Sequence, residues 1–144
     1  MDDRLRARML FHGAVVVMLG LLAGFPHAFV LTGQIAGEER AWRMAHLEGL
    51  LNGIVVLLAA AVSGWLALSP RQHAWLCWSL VAAAYGNVIA SVLGATFGVR
   101  GLALAPPLAN VVMNLLFWIA IAGILAGVGL MIVGARNAAR APRA

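Results

Sequence analysis

Four apolar runs follow one another along this chain of 144 residues, at about 9–31, 44–68, 74–98 and 109–134. A helix crosses the hydrocarbon of a bilayer with roughly 20 apolar residues, so each run is long enough, and the chain holds about four spans with short loops. A strand reading fails, because the runs lack period-2 alternation and are too long for barrel strands. Composition closes the soluble alternative: 63% of residues are hydrophobic and 10% are charged. A soluble domain carries about 45–50% apolar and about 25% charged residues, and so short a chain cannot bury the surplus. Disorder is excluded by the same excess. The expected fold is all-α, a single integral-membrane domain over residues 1–144 built as a four-helix transmembrane bundle. The first run carries no charge, exceeds a signal-peptide core in length and lacks a small-x-small cleavage site, so it reads as a span.

The net charge of +5 comes with ten basic residues, all arginine. They sit singly between runs and at the termini, which is a topology signal and not a nucleic-acid-binding stripe. Arg4, Arg6, Arg8, Arg71, Arg136, Arg140 and Arg143 fall on one side of the spans, and Arg40, Arg43 and Arg100 on the other. The positive-inside rule then places both termini in the cytoplasm. Trp65, Trp75 and Trp78 flank the loop around Arg71 as an interfacial belt. Cys77 is the only cysteine and reads as a small core residue.

Ionisable and amide side chains inside a membrane are costly and face a bundle interior or a cavity. Those within the runs are His12, His27, His46, Glu48, Asn52, Asn87, Ser91, Asn110 and Asn114. At about 100° per residue, His46, Gly49 and Gly53 share one face of the second helix, and Glu48 and Asn52 share another. Two glycines beside an imidazole leave a flat slot, the shape a planar macrocycle ligated by His46 requires. Close helix packing is the competing reading of the same glycines. Glu48 either polarises a histidine on another helix or sits at headgroup level. Tyr85, the only tyrosine, is a candidate proton donor. Glycine pairs on the first, third and fourth helices read as more packing seams than one small bundle needs, and so as a sign of oligomerisation.

Other chemistries lack their residues. The sequence has no HExxH, no Walker loop, no dinucleotide fingerprint and no Ser-His-Asp set in one region. Asp2, Asp3, Glu38 and Glu39 lie in tails or loops, so paired carboxylates are not available for acid–base work. Charged rings or filter loops of a channel, and the inverted repeats of a transporter, are likewise missing.

Phe11-His12-Gly13, the Leu19–Phe25 stretch, His46-Leu47-Glu48-Gly49-Leu50-Leu51-Asn52-Gly53 and Tyr85-Gly86-Asn87 together resemble the small membrane family of hydroxylaminobenzene mutase and styrene oxide isomerase. The resemblance implies a four-helix protein of a bacterial inner membrane that assembles as a homotrimer and holds haem b. It implies that His46 is the axial ligand, with the iron as a Lewis acid. It places active-site asparagines at Asn52 and Asn87. The epoxide isomerase carries a tyrosine four residues after the second asparagine, where this chain has Ser91. That departure and the HLEG stretch resemble the mutase branch, in which a hydroxyl moves from nitrogen to the ring. Candidate catalytic residues are therefore Asn52, Asn87 and Tyr85, and His46, Gly49 and Gly53 form the expected cofactor site. The expected substrate is a small membrane-partitioning aromatic, an arylhydroxylamine first and an aryl epoxide second. A non-catalytic b-type haem protein would need a second axial histidine from His12 or His27, and an accessory protein without cofactor would be colourless.

Overall fold

The computed structural model describes residues 1–140, and Arg143 lies outside them. Four helices account for nearly all of that length: α1 Asp3–Leu31, α2 Glu39–Val62, α3 Pro70–Phe97 and α4 Leu108–Arg140. All four are long and apolar enough to span a membrane, and no strand occurs among the described residues.

Helix ends depart from the apolar runs for local reasons. Helix α1 starts well before the apolar run, because Asp2 caps it by accepting from the Leu5 amide at 2.7 Å. Helix α2 begins at Glu39 and stops at Val62, where a 3-10 turn at Ser63–Trp65 takes over. The polar stretch Ser69–His73 is not only a break. Ser69 accepts from the Gln72 amide and Gln72 answers on the Ser69 amide, a capping box that opens α3 with Pro70 in its first turn. Gly98 ends α3 in the left-handed conformation, φ 64°.

Helices α1 and α2 form one antiparallel hairpin, α3 and α4 a second, and α2 and α3 join them. Met9, Val16, Val56, Leu76, Leu80 and Val88 fill the common core. Small residues set the hairpin spacing. A Cβ on Gly20 would lie 2.6 Å from the Leu50 nitrogen, and one on Gly53 would lie 2.7 Å from the Val17 nitrogen. In the second hairpin a Cβ on Gly123 would stand 2.5 Å from the Ser79 carbonyl. The glycine seams are thus consumed inside one chain, and they are no argument for an oligomer.

Helix α4 packs on α3 and leaves a groove open toward α2. The start of α1, the α2–α3 link and the end of α4 share one end of the bundle. There the Ala67 amide donates to the Gly134 carbonyl, Asn137 donates to the Ala67 carbonyl, and Arg6 reaches Gly64. Arg4, Arg6, Arg8, Arg71, Arg136 and Arg140 gather at this end, and Arg40, Arg43 and Arg100 at the other.

Candidate functional site

In the groove between α2 and α4, the Glu48 carboxyl is the hub of the polar side chains. Glu48 and Asn52 stand one helical turn apart on α2, and Asn87 reaches them from α3. Asn52 Nδ2 donates to Glu48 Oε2 at 2.9 Å and also to the Glu48 backbone carbonyl at 2.9 Å. Asn87 Nδ2 donates to the same Oε2. Both hydrogens of the Asn52 amide are therefore spent, and what it presents to a ligand is its carbonyl Oδ1.

The three side chains wall a cavity of about 300 Å³ whose remaining lining is aliphatic apart from Phe117. An apolar cavity of about 150 Å³ holds benzene, so this one accommodates a single-ring molecule with a polar substituent. A second hollow of about 500 Å³ adjoins it at Glu48 and runs past Ser91 to Arg40 and Arg100. Residues brought together here are Glu48, Asn52 and Asn87. The sequence pattern held the Glu48–Asn52 pair, while the meeting with Asn87 depends on how α3 seats against α2.

His46 faces the other way. Its Nδ1 lies 2.8 Å from the Gly20 carbonyl, which accepts from the ring N–H and leaves Nε2 for a ligand. That is the arrangement by which proteins orient a metal-binding histidine. Among the described residues no three His, Cys, Asp or Glu side chains converge. A bare ion would lack ligands, whereas a metal that brings four ring nitrogens needs only one histidine. The expected slot at Gly49 and Gly53 is corrected by the structure. Gly49 packs on the Gly20 backbone and Gly53 on Val17 and Gly13, so α1 fills the face that a planar ring was expected to take. Gly24 is the residue whose Cβ would press on the His46 ring, 3.0 Å from Nδ1.

Tyr85 is also separated from the asparagines. It precedes Asn87 by two residues, about 200° round α3, and its hydroxyl lies 3.2 Å from His12 Nδ1 on α1. The His12 ring sits 5.9 Å from the Trp78 ring, on the far side of α3 from Glu48. His27 is the histidine beside His46, with ring centroids 6.4 Å apart, and its Nε2 lies 3.9 Å from Glu39. Glu48 touches neither ring; of its two expected roles, polarising a histidine finds no contact, and its partners are the Asn52 and Asn87 amides. Asn110 and Asn114 are structural. They clamp the loop before α4 through bonds to Gly101, Ala103 and Ala105.

The half-buried Glu48 carboxyl, the Asn52 and Asn87 amides and the oriented His46 all lie within the stretch that a sequence comparison assigns to a family. The sequence model of styrene oxide isomerase matches residues 5–136. The chain belongs to the styrene oxide isomerase family. A search of curated proteins finds no match. Membership in the styrene oxide isomerase family gives the coarse assignment, an isomerase of aromatic epoxides or related compounds.

Proposed function

We propose that this protein is a haem-dependent membrane isomerase that rearranges an arylhydroxylamine to an aminophenol within one molecule. The observation that carries the reading is the 300 Å³ apolar cavity with Glu48, Asn52 and Asn87 on its wall. A small aromatic partitions into such a cavity, and three polar groups suffice to orient its one polar substituent. His46 holds the haem b through Nε2, kept in register by the Gly20 carbonyl. When bound, the iron supplies a Lewis acid that weakens an N–O or C–O bond without a charged side chain.

The chain's own residues do the rest. Asn52 accepts a hydrogen bond from the substrate at Oδ1, Asn87 donates with its remaining N–H, and Leu51, Val55 and Phe117 give the ring an apolar wall. His46 and Asn52 do not project from one face of α2, since six residues separate their directions by about 120°. In the proposed homotrimer, a ring held by one copy's His46 would reach the next copy's groove. The arginine excess at the terminal end supports cytoplasmic termini in an inner membrane, the residence the resemblance implies.

Purified protein given phenylhydroxylamine and styrene oxide in parallel tests this reading. The expected result is aminophenol from the first at the higher kcat/KM and little aldehyde from the second. Asn52→Ala should keep the haem spectrum and lower turnover per haem about 10²-fold, the scale for one positioned polar group. An Asn52→Ala protein with lower yield but normal turnover would leave the amide a purely structural part.

A further inference from the structure

We infer that Glu48 is the proton-carrying residue of the rearrangement and that, with Asn52, it selects substrates bearing N–H or O–H donors. The inference rests on the arylhydroxylamine reading above and assigns the base that reading still needs.

In that reaction the N–O bond breaks and a C–O bond forms at a ring carbon. That carbon then carries both the hydroxyl and its original hydrogen, and the nitrogen has become an imine. Aromaticity returns when the ring carbon loses a proton and the nitrogen gains one. The ring is oxidised by two electrons and the nitrogen reduced by two, so no outside oxidant, reductant or water enters. One base at the cavity wall that takes the carbon's proton and returns it to nitrogen completes the balance.

Glu48 is the sole acid lining that cavity. Its Oε2 already accepts from Asn52 and Asn87, which fixes the carboxyl plane and leaves Oε1 as the free oxygen. The same bonds turn Asn52 so that an acceptor faces the substrate. A hydroxylamine has two donors to offer this wall of acceptors, and an epoxide has none. A site built around a substrate's polar hydrogens rejects the analogue that lacks them by about 10⁴-fold.

The test compares wild type, Glu48→Gln and Glu48→Asp on phenylhydroxylamine and on its ring-deuterated form. Glu48→Gln keeps an acceptor for both asparagines and removes only the base. It should retain haem content and oligomer mass, lose turnover about 10²-fold or more, and show a ring-deuterium isotope effect larger than that of wild type. Glu48→Asp keeps the acid on a shorter arm, so it should fall between the two in rate and also show a raised isotope effect. Should Glu48→Gln not fold, the aspartate variant carries the test alone. Normal turnover in either variant, or slowed turnover with an unchanged isotope effect, overturns the assignment of Glu48. A wild type that converts styrene oxide and ignores the hydroxylamine instead overturns the underlying substrate reading, and this inference with it.

Discussion

His46→Ala should insert normally, keep its four helices and lose the Soret band together with turnover, a fall of 10²-fold or more to the level of buffer. The reason is local. The Gly20 carbonyl pins Nδ1, so a single nitrogen, Nε2, is offered to a metal. Alanine removes that nitrogen. It leaves the glycine seam intact, since Gly20, Gly49 and Gly53 pack backbone to backbone without the imidazole. Absorption of the detergent-purified variant at equal protein concentration checks the claim. Full haem occupancy with unchanged axial ligation in His46→Ala would return His46 to a packing role and make His27 the ligand to examine.

The second large effect is on stability. Gly20→Val would put a Cβ 2.6 Å from the Leu50 nitrogen and 2.7 Å from the Gly49 carbonyl carbon. Both obstacles are backbone, so relief requires α1 and α2 to part along the whole hairpin. Overpacking of this kind costs about 3 kcal/mol or more when no side chain can give way. Gly129→Ala is the matched control, because nothing lies within 4 Å of the added Cβ. It should be neutral or gain up to about 1 kcal/mol from helix propensity. Unfolding of both variants by titration with denaturing detergent reads the difference. Equal midpoints for Gly20→Val and wild type would show that the hairpin is not held by this contact.

The membrane architecture was legible because it depends on run length alone. Four stretches too long and too apolar for anything but spanning helices leave no other all-α arrangement. Helix termini were less so. Charged Arg4, Arg6 and Arg8 lie outside the apolar run yet inside α1, since a cap and not hydropathy decides where a helix starts.

At the candidate site, periodicity gave the faces of α2 correctly: Gly49 and Gly53 on one, Glu48 and Asn52 on another. It could not say what stands against each face. Helix α1 fills the glycine face, so the slot expected there does not exist. The Glu48 face opens on a cavity, a consequence of α4 leaning on α3 and away from α2. Tyr85 was a candidate proton donor as the only tyrosine, and its position two residues from Asn87 turns it to a nearly opposite side of α3, against His12. The His12–Tyr85 contact spans 73 positions in sequence and had no local signal.

A rearrangement internal to one aromatic molecule leaves the product with the substrate's own oxygen atom. Wild-type protein is given unlabelled phenylhydroxylamine in oxygen-18 water, and the aminophenol is weighed by mass spectrometry. The account predicts product that keeps its own oxygen and carries no label, as expected of a hydroxyl that moves within one molecule held against the apolar wall of Leu51, Val55 and Phe117. Aminophenol that carries the heavy isotope would mean water had attacked the ring, and it would contradict the assignment of this protein as an isomerase of arylhydroxylamines.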